Sequence, residues 1–348
     1  RKYMPTAEES QMLRKVEVRP MVRYTIKRLL IIIPTLLGVL LIIFTINYFT
    51  PGDPAMAALG TNYTEEAYKQ KVEDKGLDEP FVVRYFVYLK NIVTKFDLGT
   101  SYSTLRPVTK LIGEKIVPTL KVGLLSCVVT VIVGIIVGIV SAVKQYSVID
   151  YVSTSLSVFF AAMPGFWLAL MCMMLFCIKL RWLPATGLAT WKHYILPVLC
   201  LGLSPIAIII RMTRSSMLDV IHQDYIRTAR AKGVGERKVI YKHALRNALI
   251  PVITVIGMQM SMVISGSVVI ESIFGIPGIG MLMLDAIGSR DYPLIQGTVL
   301  VLSFLICIIN LLVDLAYAAA DPRIKAQYTT GRRSSKKSKE TKPAQEVA

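Results

Sequence analysis

The sequence predicts an all-α polytopic membrane protein with six transmembrane helices and an extracytoplasmic insertion after the first. Three observations predict it. Hydrophobic residues make up 53% of the 348-residue chain, charged residues only 18%, and mean hydropathy is +0.54. A soluble domain sits nearer roughly 45–50% apolar and about 25% charged. Six long stretches carry no charged residue: 29–52, 122–143, 152–178, 193–210, 247–270 and 292–313. Finally, the 40 Lys and Arg against 23 Asp and Glu are shared unevenly among the segments between those stretches.

Each uncharged stretch is about as long as the ~20 residues with which a helix crosses ~30 Å of hydrocarbon. The first is too long for the apolar core of a secretory signal, and Phe49-Thr50-Pro51 lacks a small-x-small cleavage site. It is expected to remain as an anchor, TM1 at 29–50, behind a basic N-terminal segment at 1–28. The segment 51–118 balances nine basic against nine acidic residues. It suits a small cap and not an independent catalytic domain. Its run Phe81-Val82-Val83-Arg84-Tyr85-Phe86-Val87-Tyr88-Leu89 is expected as a helix packed near the membrane surface. The other five spans form a core over 119–320. The stretch 193–210, holding Pro197 and Pro205, is the shortest and weakest of the six. Pro34, Pro164 and Pro251 also lie in or at the ends of spans, where neighbouring helices can re-satisfy the backbone that proline disrupts. The tail 321–348 carries RRSSKKSKETK at 332–342 and is too poor in apolar residues to fold alone.

Basic residues collect on the cytoplasmic side of a membrane protein. With the N-terminus inside, the inner segments sum to +15 and the outer ones to +2. Both termini are therefore expected in the cytoplasm. The net charge of +17 reads as a topology signal beside lipid headgroups, not as a nucleic-acid surface, because the basic segments flank spans.

Chemistry-bearing clusters are absent from the sequence pattern. Cys127, Cys172, Cys177, Cys200 and Cys307 all fall in spans and form no CxxC pair, so neither a disulfide framework nor a zinc site is indicated. His193, His222 and His243 lack metal-ligand spacing. No phosphate-loop lysine motif, Gly-x-Ser-x-Gly or His-Glu-x-x-His occurs. The run Leu183-Pro184-Ala185-Thr186-Gly187 has the form of a sortase signal, but two more spans follow it. No cofactor is expected on this chain, and no catalysis.

The inner segment 211–247 is the most informative. Asp224-Tyr225-Ile226-Arg227-Thr228-Ala229-Arg230-Ala231-Lys232-Gly233 has the marks of a two-turn helix. Asp224 suits the N-cap, Arg230 and Lys232 the C-terminal dipole, and Gly233 the left-handed position after the helix. Two turns are too short to be stable alone. Thr228, Ala229 and Ala231 are small, so a partner surface can come close. Gly235 permits a turn, and a second basic helix then runs into the fifth span. A solvated amphipathic loop is the alternative to a docking element.

RTARAKG at 227–233 resembles the EAA loop of ABC importer permeases, a pattern of Glu-Ala-Ala, three residues and Gly, with Ile-x-Leu-Pro further on. Arg227 stands for Glu and Thr228 for the first Ala; Ala229 and Gly233 match, and only Leu245 of the last element is kept. These departures are those of the peptide-transport branch, whose QDYIRTARAKG and HALRNALIPVIT both occur, at 223–233 and 243–254. Further similarities are Pro51-Gly-Asp-Pro54, Asp97-Leu-Gly99 with Ser101, Leu183–Gly187, GIPGIG at 275–280, Arg290-Asp-Tyr-Pro293 and Asp321-Pro-Arg-Ile324. The likeness spans about 23–324 and is to the B-type permease subunit of oligopeptide or dipeptide ABC importers.

That resemblance implies a type I ABC importer permease fold in a bacterial cell membrane. It implies a second permease subunit as heterodimer partner, two ABC ATPase subunits that use ATP and Mg, and an extracellular substrate-binding protein. The substrate implied is a peptide; related permeases carry nickel or other small solutes. ATPase coupling would fall on Asp224, Tyr225, Arg227, Thr228, Ala229, Ala231 and Gly233. Polar residues within spans, Asn47, Gln259, Ser261, Ser265, Ser267 and Asn310, are candidates for the translocation path, with hydrogen bonding between packed helices as the alternative. No ionisable residue sits mid-span, which disfavours a self-contained proton-coupled transporter or channel.

Overall fold

The computed structural model describes residues 7–51, 53–59, 63–74 and 76–320; the expected basic tail at 321–348 and its Asp321-Pro-Arg-Ile324 motif lie outside them. The described residues are helical apart from loops and one isolated bridge, Thr100 to Pro107. Five helices are long and apolar enough to span a membrane, and one bent pair makes a sixth candidate.

Helix α1 (Ala7–Phe49) carries the first apolar run. The insertion holds α2 (Pro54–Leu59), α3 (Glu65–Asp74) and α4 (Phe81–Lys95). Asp53 caps α2 by accepting from Ala55 and Met56 amides, and its other oxygen accepts from the Tyr68 hydroxyl at 2.6 Å. Helix α4 packs on α1 through Phe44, against Phe81, Tyr85 and Tyr88. Helix α5 (Val108–Val143) starts directly after Pro107. It begins earlier than the expected boundary at 118, since Lys110, Glu114 and Lys115 carry the helix out of the apolar zone and Pro118 is accommodated inside it.

The third stretch is not one straight span. Helix α6 (Val148–Ala162) and α7 (Gly165–Cys172), the latter prolonged by a π-helical turn at Met173–Lys179, meet at 106°. The cause is local: Pro164 forces Met163 out of the helical region, to φ −81 and ψ 135, and supplies no amide of its own. Hydropathy alone does not register such a break.

Helix α8 (Lys192–Ile221) reverses another expectation. The stretch judged weakest lies at the centre of the bundle, with 61% of its most apolar window buried against 6% for α13 (Tyr292–Ala320). It packs on α5, α6 and the fifth span. Close approach explains why: a Cβ on Gly134 or Gly138 of α5 would lie 2.6 Å from Ile209 or 2.5 Å from Thr213, and one on Gly202 would lie 2.6 Å from Thr130. Ser126 donates across this seam to the Val198 carbonyl at 3.0 Å. Small residues admit the backbones and a hydroxyl joins them, as membrane helix packing requires.

After a short helix, α9 (Asp224–Ala231), the chain continues as α10 (Glu236–Lys238), a π-helical turn at Val239–Ala244 and α11 (Leu245–Ile273). Helix α12 (Ile279–Gly288) then leads to α13. At the far end of α13, Arg28 pairs with Asp314 at 3.0 Å and ties α1 to it.

Two joints close the end of the bundle that carries the insertion, and both are built from the motifs singled out above. Fully buried Asp291 accepts from the Ser101 hydroxyl at 2.5 Å and from the Ser103 hydroxyl and amide at 2.9 and 3.1 Å. Its second oxygen caps α13 at the Leu294 amide. The segment after the DLG motif and the RDYP motif thus meet across 190 residues. Fully buried Glu271 accepts from the Gly280 and Met281 amides at the start of α12. Its carboxylate would lie within 2.3 Å of a Cβ on Gly278, so the glycine-rich turn is dictated by the carboxylate above it. The Gly187 amide donates to Phe274, which fixes the LPATG run to the same turn.

Candidate functional site

The opposite end of the bundle is organised around α9. Gln223, in extended conformation, occupies the N-cap, and Asp224 is the first helical residue. Asp224 therefore does not cap the helix as expected; it sits in the first turn, where its charge suits the dipole, 3.7 Å from Arg227. The other end follows expectation. Gly233 has φ +74. Its amide donates to Arg230 at 2.9 Å, and the Val234 amide donates to Ala229 at 3.2 Å, the paired bonds of a Schellman stop.

One side chain holds α9 down. Ile226 is fully buried in a cluster with Met217, Val239, Ala244 and Ala248. Ala229, three residues on, packs against that cluster too. It was expected to face a partner; helical periodicity places it on the same face as Ile226, so it faces its own chain. At ~100° per residue, Asp224, Thr228 and Ala231 share the opposite face, and all three are exposed. Arg227 and Gly233 are exposed as well, and Tyr225 is 44% exposed while accepting from Asn247 at 2.8 Å. Arg230 makes a two-pronged pair with Glu236 at 2.6 and 3.1 Å, which raises the Arg230 pKa through that hydrogen bond.

Three side chains here escaped the sequence reading. Ile226 had a signal, a single large apolar residue in a polar helix. Asp150 and Arg214 had none. Asp150 is 2% exposed and accepts from Arg214 at 2.5 and 2.7 Å, from Ser141 at 2.5 Å and from the Tyr146 amide. This pair fastens α6 to the half of α8 that leads into α9.

The six polar path candidates fall on different surfaces. Ser261 donates to Asn310 at 2.5 Å, and Ser265 donates to the Ser261 carbonyl. With exposed Met258, Met262 and Val269, Ser261 and Ser265 form one open stripe of α11, met by Asn310 of α13. Gln259 and Ser267 lie on its other face, buried in the bundle, with Gln259 Oε1 and the Ser267 hydroxyl unpaired. Asn47 belongs to neither group; it lies on α1, beside a cavity that residues of α4 and the start of α13 also line. Among the described residues no cluster of three His, Cys, Asp or Glu could hold a metal, and all five cysteines are free.

A bundle of spanning helices, sealed at one end by buried joints and carrying a projecting helix at the other, defines a multi-pass membrane permease component. The family model described as "binding-protein-dependent transport system inner membrane component" matches residues 134–326, and its N-terminal companion matches 21–122. The chain belongs to that family. It is 44% identical, over 88% of its length and 100% of the relative's, to the dipeptide transport system permease protein DppB of Alkalihalophilus pseudofirmus. It is 45% identical, over 88% and 99%, to the glutathione transport system permease protein GsiC of Pectobacterium atrosepticum. A chain of the MetNI methionine ABC transporter in an inward-facing conformation superposes with a TM-score of 0.51 at 17% identity, covering 61% of this chain and 97% of that one. That likeness concerns the fold alone.

Proposed function

We propose that this chain is one of two permease subunits in an ATP-driven importer of short peptides, with both termini in the cytoplasm. An extracellular binding protein delivers the peptide outside. Two ATPase subunits dock inside, hydrolyse the ATP and drive alternating access. The observation that carries this reading is the outward face of α9. A helix too short to stand alone is clamped by buried Ile226 and presents Asp224, Thr228 and Ala231 to whatever approaches. Small side chains there let an ATPase groove come within contact distance. The stripe holding Ser261 and Ser265, with Asn310 of α13 beside it, is open on this subunit and suits a path shared with the second permease.

The substrate class draws its support from the relatives, one a dipeptide and one a glutathione transport permease. Uptake of a radiolabelled dipeptide into proteoliposomes holding the whole complex tests it. ATP-dependent uptake competed by unlabelled dipeptides is expected. Uptake of nickel but of no peptide would overturn the assignment.

A further inference from the structure

The chain leaves the third span and enters the fourth through 179–193, a segment with three basic residues and no acidic one. In the orientation proposed above it lies outside. The other two outer segments are balanced, with nine of each sign in 51–118, or net acidic, with one basic against three acidic in 271–292. Basic residues normally avoid that side of a membrane protein, so the excess in 179–193 calls for a partner there. The chain itself supplies none. Lys179, Arg181 and Lys192 are all exposed, and none is paired with a carboxylate among the described residues.

One of these cations is held at a cost in strain. The π-helical turn Met173–Lys179 ends with the Leu180 amide donating to Leu175. The Trp182 and Leu183 amides then both reach the Phe176 carbonyl, at 2.9 and 3.3 Å. This stop puts Arg181 at φ +55, the left-handed position that glycine normally fills. A side chain there is strained, and such strain collects where the side chain serves a function. The rest of the loop is tied down. The Cys177 thiol donates to the Pro184 carbonyl at 3.4 Å, the Gly187 amide to Phe274 at 3.1 Å and the Thr190 amide to His193 Nδ1 at 3.1 Å. Two indoles stand on this frame. Trp182 is 66% exposed, its ring 6.0 Å from that of Phe176, and Trp191 is 71% exposed with Lys192 Nζ 6.0 Å from its ring centre. Lys179 closes the helix of one span and Lys192 opens that of the next, so both tryptophans stand just beyond a span end.

We propose that 179–193 is a contact surface for anionic phospholipid headgroups. Lys179, Arg181 and Lys192 meet the phosphates, and Trp182 and Trp191 meet the boundary between headgroup and acyl chain, the level at which tryptophan concentrates. Long basic side chains beside a span end reach that level with their stems against the apolar zone. A soluble partner with an acidic face would answer the three cations but leave two bare indoles at the edge of the hydrocarbon. Anionic headgroups answer both. The proposal goes beyond the importer reading and takes from it only the orientation; neither the peptide nor the ATPases enter the argument.

The test uses the intact permease–ATPase complex in nanodiscs, with photoactivatable phosphatidylglycerol or phosphatidylcholine of the same acyl chains as probe. Crosslinks are mapped by peptide mass spectrometry, which reads 179–193 whichever side of the membrane it occupies. Labelling of this segment should favour phosphatidylglycerol at least about tenfold, given roughly fivefold for each basic residue near an anionic surface. Lys179→Gln/Arg181→Gln/Lys192→Gln should bring the ratio near one with no fall in melting temperature, since it removes exposed charges that have no partner in the chain. Arg181→Gly should lower the ratio about fivefold and melt no earlier than the wild type, because glycine relieves the strain. Trp182→Ala/Trp191→Ala should reduce labelling by both lipids. Lys69→Gln/Lys90→Gln/Lys110→Gln, three exposed basic residues of 51–118, should leave the ratio unchanged. Equal labelling of the wild type by the two lipids, an unchanged ratio in the first variant, or an equal fall in the last overturns the proposal. So does loss of the second permease from the first variant, which would make the loop a subunit contact. Dipeptide uptake is scored separately: an importer without the lipid preference removes only this surface, and the preference without uptake removes only the importer.

Discussion

The two ends of the bundle, outer and inner in the orientation proposed above, are held together in different ways. At the outer end, loops from distant parts of the chain converge on two fully buried carboxyl groups, Asp291, which accepts four hydrogen bonds, and Glu271, which accepts two. At the inner end α9 rests on one apolar anchor, Ile226, and a pair, Arg230–Glu236, whose side chains are 40% and 55% exposed. Buried, multiply bonded charges are costly to disturb, whereas a surface pair contributes little. The comparison teaches that the outer end is built as a fixed joint and the inner helix as a separately seated element that can follow a partner.

The largest effect is expected at the outer joint. Asp291→Ala strands the Ser101 and Ser103 donors and uncaps α13, and should destabilise the protein by about 3–5 kcal/mol. Thermal unfolding in nanodiscs measures it, and a loss below about 1 kcal/mol would dissolve the distinction between the two ends. Next comes Ile226→Ala. Removal of a buried isoleucine costs about 2–5 kcal/mol, but here the cost should stay local. Hydrogen exchange should rise in 224–234 while the amides of α8 and α11 remain protected. Global unfolding instead would make α9 part of the core.

Gly233→Val should cost about 1–2 kcal/mol, the strain of a β-branched residue at positive φ. A Cβ there meets nothing within 4 Å, so the strain is conformational alone. Gly233→Asn should recover most of it, as the melting temperatures of the two variants will show. The smallest effect belongs to Arg230→Gln, about 0–1 kcal/mol, and it should shrink further in high salt. A salt-independent loss would place that pair among the buried clamps.

Much of the inner end was legible in the sequence. Gly233 announced the stop of α9 because few residues tolerate its backbone, and small residues marked its exposed face. The direction of Ala229 was misjudged because the composition of a helix was read without its anchor; once Ile226 is placed, periodicity turns Ala229 inward. The apolar runs gave the spans, but hydropathy measures solvent and not neighbours. The charge-free run of α8 was the shortest, although Gly134, Gly138 and Gly202 make α8 the centre, and hydropathy read through the bend at Pro164. The outer joints stand in motifs that the sequence offered, but their pairing was not legible. Asp291 and Ser101 come together only through tertiary packing, and no spacing in one sequence encodes that.

The central claim is that the outward face of α9 transmits ATPase action to a peptide path. Ala231→Trp tests it most directly, since Ala231 is exposed and a large ring there obstructs a docking groove without entering the bundle. The measurement is ATP-driven dipeptide uptake by the reconstituted complex, with melting temperature and ATPase co-purification alongside. The account predicts an unchanged melting temperature, loss of the ATPases and abolished uptake. Normal uptake by a normally assembled Ala231→Trp complex would contradict it.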